Sequence, residues 1–242
     1  MTNVIVQLND GVGELILNRP KQRNSLTGPL VQELTEGLRS LTSDSECRAV
    51  VVRGAEGFFC AGLDLKAFSA SPAPEWRADF QSHWANYHRT VYGAEVPIIG
   101  ALQGFAIAGG SSLALSCDFL VAGETAFMHV SEVERNMLAP LNVFWLTYRY
   151  GYQTALRMGL LGERWSCPDL VSAGLVEKCV ADSEVVSESL AMAKRFASFE
   201  TENVRALKRS VRAGSHGENS DSRFNEILEH IKSAATGELV GT

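Results

Sequence analysis

Val96-Pro97-Ile98-Ile99-Gly100-Ala101-Leu102-Gln103-Gly104-Phe105-Ala106-Ile107-Ala108-Gly109-Gly110-Ser111-Ser112-Leu113-Ala114-Leu115-Ser116-Cys117 is the stretch whose reading decides the architecture. Val96 to Leu102 is apolar on successive positions, as expected of a strand buried on both faces. Gly104 and the Gly109-Gly110 pair then punctuate the chain, and Ser111 to Cys117 reads as a short apolar helix. A strand, a glycine turn and a helix in that order make one unit of an α/β fold. The first turn of such a helix presents N–H groups without intrahelical partners, next to glycines that let a ligand approach the backbone.

Outward from this centre the same alternation repeats. Upstream, Ala49-Val50-Val51-Val52 within Arg48 to Arg53 is a second strand apolar on both faces. It leads into another glycine turn, Phe58-Phe59-Cys60-Ala61-Gly62-Leu63-Asp64-Leu65. Val4 to Leu8 and Glu14 to Leu17 flank Asn9-Asp10-Gly11 and predict a hairpin. Leu30, Leu34, Leu38 and Leu41 recur at helical spacing across Thr27 to Leu41, with Thr27 as N-cap. Pro74 to Tyr92 is expected to be helical, and Phe119 to Ala122 forms a further strand. From about Asn142 the pattern turns helical and stays so, over Val143–Tyr150, Gln153–Leu161, Glu184–Phe199, Val204–Arg212 and Phe224–Ala235. Ser69 to Pro74 and Gly214 to Asp221 read as flexible loops.

Composition narrows the functional classes. The 242 residues are 45% hydrophobic with a net charge of −6, from 22 Lys+Arg and 28 Asp+Glu. That balance argues against nucleic-acid phosphates as a partner. No run reaches the roughly 18 apolar residues of a membrane span, since Val96 to Ala108 is short and interrupted. Without a visible signal peptide, a cytoplasmic location is expected. The five cysteines (47, 60, 117, 167 and 179) are scattered singly, so no metal site and no disulfide framework is expected, and free thiols fit a reducing compartment. Gly104, Gly109 and Gly110 do not match the dinucleotide fingerprint, and there is no phosphate-binding loop or nucleophile elbow.

At this point the chain resembles the crotonase, or enoyl-CoA hydratase/isomerase, superfamily. Three motifs in order carry the resemblance: Asn18-Arg19-Pro20-Lys21-Gln22-Arg23-Asn24-Ser25-Leu26, Phe59 to Leu65, and Ala106 to Asp118. It implies a single crotonase-type domain over 1–242, with a β-β-α spiral core to about residue 190. A helical C-terminal part over about 191–242 would mediate a homotrimer, or a hexamer as a dimer of trimers. It also implies acyl-CoA thioester chemistry with no cofactor beyond the coenzyme A of the substrate. By position, the oxyanion-holding amides fall on Ala61 and Gly109. The CoA-binding segments fall on Arg23, Ser25, Leu26, Ala61, Asp64 and Leu65, and Gly109 and Ser112 are also expected among the substrate-binding residues.

The base is the discriminating residue. Hydratases of the family use two glutamates, because one group activates water while another protonates carbon. Here the first of those positions is Ser112 and the second is Glu132. A single carboxylate is what a 1,3-proton shift needs, and Leu138-Ala139-Pro140-Leu141-Asn142-Val143-Phe144-Trp145-Leu146 resembles, with an insertion, the A-P-F-W-L stretch of the 3,2-enoyl-CoA isomerase branch. The expected activity is therefore isomerisation of a 3-enoyl-CoA to the 2-trans-enoyl-CoA. Hydration, decarboxylation, or acyl-CoA binding without turnover are the alternatives. Glu134 reads as solvated, Cys60 as a packing residue and His129 as structural. His83 and His88 do not share a helical face as metal ligands would. Trp76, Trp84, Tyr87 and Tyr92 form either core or the wall of an acyl pocket.

Overall fold

The computed structural model describes residues 2–216, and its elements follow the sequence order strand–helix–strand in the first half. β1 (Val4–Asn9) and β2 (Val12–Leu17) close a hairpin around Asp10-Gly11, both of positive φ, the geometry that matches strand twist. α1 (Gly28–Ser43) starts where the Thr27 hydroxyl accepts the Leu30 amide at 3.4 Å, and it buries its leucine stripe. There follow β3 (Ala49–Gly54), α2 (Leu65–Phe68), α3 (Phe80–Gly93), β4 (Ile98–Leu102), β5 (Phe105–Ile107), α4 (Gly109–Ser116), β6 (Phe119–Gly123) and β7 (Phe127–His129). The second half contains α5 (Pro140–Tyr150), α6 (Tyr152–Leu161), β8 (Arg164–Ser166), α7 (Cys167–Ser172), β9 (Lys178–Val180), α8 (Val185–Ala197) and α9 (Thr201–His216).

Six strands form one sheet in the order β1-β2-β3-β4-β6-β9, parallel except for the opening hairpin. Alternate residues of β3 explain why it reads as apolar throughout. Val50 and Val52 join the larger core under α1, α3 and α4, while Ala49 and Val51 join a smaller one covered by α8. A second sheet, β5-β7-β8, stands apart and carries the turn that opens α4.

Several expectations are corrected. The Pro74–Tyr92 helix is broken: a single 3-10 turn spans Glu75–Arg77 and α3 begins at Phe80. The fourth strand starts at Ile98 rather than Val96, after Pro97, which has no N–H for the ladder. The region after Asn142 is not uniformly helical, because β8 and β9 interrupt it and β9 returns to the edge of the main sheet. Helix α9 runs through Gly214 to His216, where a loop is expected; the rest of that segment and the Phe224–Ala235 helix lie outside the described residues. Cys167 and Cys179 are joined as a disulfide, with Cα atoms 6.1 Å apart, because β8, α7 and β9 fold back on one another. Twelve residues of separation conceal that pairing in the sequence. Cys47, Cys60 and Cys117 are buried free thiols. Among the described residues no helix is long and apolar enough to cross a membrane.

The core between α3 and α5 holds an imidazole. His88 is fully buried, its Nδ1 accepts the Trp145 indole N–H at 2.8 Å, and burial depresses its pKa from 6.5 to about 3. The folded state therefore resists the proton that the unfolded chain takes up near pH 6.5. Its stability contribution is complete above that pH and declines as pH falls toward 3. Between pH 7 and 5 we expect wild type to lose about 2 kcal/mol more unfolding free energy than a His88→Gln variant. Urea titrations at the two pH values read this difference, and parallel losses in both proteins would contradict it.

Candidate active site

Three chain segments remote in sequence are stitched together by main-chain hydrogen bonds. Leu26 pairs with Leu63: the Leu26 amide donates to Gly62 O at 2.7 Å, and the Asp64 amide donates to Leu26 O at 2.9 Å. Cys60 pairs with Ala106, donating to Phe105 O and accepting from the Ile107 amide, both at 3.1 Å. Gly62 has φ +81°, and a Cβ there would stand 2.6 Å from Ile107 O. Only glycine combines that conformation with that approach. The turns around Ala61 and Gly109 are thereby held side by side.

Ala108 sets the second turn. It holds φ 50° and ψ −116°, rare for a residue with a Cβ, and its amide donates to His129 O at 2.8 Å. This bend presents the Gly109 amide at the start of α4, where it makes no backbone hydrogen bond among the described residues. The Ala61 amide differs: it donates to Arg23 O at 3.1 Å. Arg23 and Asn24 are consecutive left-handed residues, and that turn aims the Arg23 carbonyl at Ala61. The Asn24 side chain fixes it by accepting from the Arg19 amide and donating to Ala55 O and Phe58 O.

The residues expected along the CoA segment divide by environment. Ser25 and Leu26 are buried, Arg23 is exposed, and Leu65 is 48% exposed. Asp64 ties the segment together: it caps α2 through the Ala67 amide at 3.0 Å and accepts from Arg19 Nη2 at 2.9 Å and from the Ser25 hydroxyl at 3.2 Å. Burial opposes its charge, but the Ala67 amide and the Arg19 guanidinium hold its carboxyl below the usual range. Leu26 also packs against Gly109, and Trp84 of α3 stands behind the same glycine, stacked on Tyr87. Trp84 is thus a core residue that also backs Gly109. Trp76 packs against Phe68 and Phe80 instead.

Glu132, just after β7, is the carboxylate tied to the second turn, through Asn142, which also donates to Ala108 O. Its Oε1 accepts Asn142 Nδ2 at 2.8 Å, and its buried Oε2 has no hydrogen-bond partner among the described residues. Burial raises its pKa above the ordinary glutamate value, and the surrounding donors, Asn142 among them, only partly offset this. Ser112 is buried in α4 and donates to Gly109 O at 2.9 Å, which occupies its proton inside the helix. His129 Nε2 lies 2.8 Å from Gly162 O, while Glu134 is half-exposed beside it. Cys60 is buried and its thiol is pushed up to about 12, so it supplies no thiolate.

Residues 7–234 match the family model described as Enoyl-CoA hydratase/isomerase. The chain belongs to the enoyl-CoA hydratase/isomerase family. Its relatives include a probable enoyl-CoA hydratase of Rhizobium meliloti, 31% identical over 210 residues, which are 86% of this chain and 80% of that one. The mitochondrial enoyl-CoA hydratase of Pongo abelii is 32% identical over 207 residues, covering 85% and 70%. Among solved structures, carnitinyl-CoA hydratase from Mycobacterium avium superposes with a TM-score of 0.84 at 29% identity, covering 96% of this chain and 90% of that one. The crotonase fold is thereby shown.

Within this family member, two residues of the site escape the motif reading. Asn142 lies in the insertion that departs from the resembled pattern, so no motif position points to it. Arg19 is inside the first motif, but its partnership with Asp64 spans 45 residues and no local periodicity marks it.

Proposed function

We propose that this family member isomerises 3-enoyl-CoA thioesters to 2-trans-enoyl-CoA, with Glu132 as the sole proton carrier. The observation that carries this reading is the environment of position 112: a hydroxyl committed to Gly109 O stands there in place of a carboxyl, and Glu132 is the carboxylate tied through Asn142 to the Gly109 turn. Glu132 Oε2 takes a proton from the α-carbon, and the C–H electron pair flows toward the thioester oxygen as the enolate forms. The same carboxyl then returns the proton at the γ-carbon as the double bond moves from C3–C4 to C2–C3, with no net gain or loss of atoms. A pKa raised by burial brings the carboxylate closer to the task of exchanging a carbon-bound proton. The Gly109 amide stabilises the developing oxygen charge, a free donor of this kind contributing about 3–4 kcal/mol, and the Ala61 amide adds to it on exchanging Arg23 O for the charged oxygen. No cofactor takes part in this scheme, and a homotrimer in the cytoplasm remains its expected setting.

Hydration is the second reading. It is favoured by the hydratase names of the relatives and by two buried acceptors, Glu132 Oε2 and Asn142 Oδ1, that have no hydrogen-bond partner among the described residues. Supplying crotonyl-CoA and a panel of 3-enoyl-CoA thioesters separately, in water enriched in oxygen-18, tests both. Isomerase activity yields 2-enoyl product without heavy oxygen. Rapid labelling of a 3-hydroxyacyl product from crotonyl-CoA, with no turnover of 3-enoyl substrates, would overturn the isomerase reading. Binding of every thioester without product would assign the chain to non-catalytic acyl-CoA binding.

A further inference from the structure

The side chain of Asn142 connects the base to the oxyanion turn. It sits in the first turn of α5, only 2% exposed, where a buried amide is costly unless its hydrogens are used. Both are used. Nδ2 donates to Glu132 Oε1 at 2.8 Å and to Ala108 O at 3.2 Å. The amide cannot serve the other way round, since a carbonyl and an ionised carboxylate only accept. Ala108 is the strained residue whose backbone aims the Gly109 amide, and its carbonyl also receives the Ser111 and Ser112 amides. One nitrogen thus fixes the position of the base relative to the turn that holds the developing charge.

We propose that Asn142 is a positioning residue for the reaction, holding Glu132 Oε1 so that Oε2 alone faces the substrate carbon, and locking that oxygen in register with the Gly109 amide. The inference rests on Glu132 being the base. Rotation of an untethered carboxylate would exchange its two oxygens and spread the proton-transfer distance, where misplacement by about 1 Å costs about 10²-fold. The same donor favours the ionised form of Glu132. Few other charges bear on it: Arg135 on its own turn draws its pKa down, while Glu134 and His129 face each other at 3.6 Å. Helix α4 contains no ionisable residue, and α5 has none before Tyr148.

The test is Asn142→Leu, which keeps the volume and removes both donors, alongside Asn142→Asp, which keeps the shape and places a second carboxyl against Glu132. For Asn142→Leu we expect kcat to fall about 10- to 100-fold, with KM and the acyl-CoA dissociation constant within about threefold of wild type. The acid limb of the kcat–pH profile should move to higher pH, because the base loses a donor that stabilises its charge. In Asn142→Asp the limb should move further in the same direction, since two adjacent carboxyls resist double ionisation. If Asn142→Leu fails to fold, Asn142→Ala, which also removes both donors and adds no charge, takes its place. A role confined to packing predicts an unmoved acid limb in whichever of these uncharged variants folds, and that result overturns the proposal. Glu132→Gln in the same assay separates the two levels of inference. Retained turnover there removes the base and with it the positioning role. An inactive Glu132→Gln beside an unmoved profile for the uncharged Asn142 variants removes the positioning role only.

Discussion

Replacing Glu132 with glutamine is expected to lower turnover of the preferred enoyl thioester by about 10²–10⁴-fold while leaving acyl-CoA affinity nearly unchanged. Glutamine preserves the shape of the side chain and its Oε1 still accepts from Asn142, so the site keeps its geometry. What is lost is the capacity to take up a proton at Oε2. The variant should also resist unfolding at least as well as wild type, since a partly buried charge has been removed. Steady-state rates, thioester binding by calorimetry and a thermal melt on one preparation distinguish these effects. Substantial activity in a folded Glu132→Gln protein would exclude this carboxylate from the chemistry.

The second large effect is expected at Gly110. A Cβ at this position would drive into the Cys60 carbonyl oxygen and crowd the carbonyl carbon and Cβ of the same residue. Two of these three atoms are main chain and the third is a Cβ, so no side-chain rotation relieves them. In Gly110→Ala the Cys60–Ala106 bridge has to part, and it is this bridge that sets the Ala61 amide beside Gly109. Misaligning one oxyanion donor costs about 10²–10³-fold in rate, and forced overpacking costs about 1–3 kcal/mol in stability. Gly93→Ala is the matched control: a Cβ there meets nothing within 4 Å, and both rate and melting temperature should be retained. Wild-type turnover in Gly110→Ala would show that the two turns need not be held in register.

The legible part of this protein is the part written in local pattern. The hairpin around Asp10-Gly11, the Thr27 cap, the leucine stripe of α1 and the doubly buried β3 each depend on residues a few positions apart. The second sheet is different. Its strands are three residues long, too short to leave a period, and they pair across distances such as that from Phe105 to Phe127. The Cys167–Cys179 bridge is likewise a product of the return path through β8 and α7. At the candidate site, Glu132 and Gly109 are singled out by the positions they share with the family's motifs, and the glycine turns are visible as residue types besides. Asn142 is not visible in this way. A lone asparagine in a helical pattern becomes informative only when its neighbours in space are an acid and a strained carbonyl.

The bond between the Ala61 amide and Arg23 O has a consequence for how strongly any ligand is held. For a thioester seated at that amide, arrival is a swap of one neutral acceptor for another, so the resting complex gains little from it. As negative charge builds on the incoming oxygen, the swap becomes progressively more favourable, because a charged acceptor outcompetes a peptide carbonyl. A donor engaged in this manner discriminates against uncharged states. It lowers the barrier without deepening the well on either side of it, and finished product departs with Arg23 ready to take back its partner.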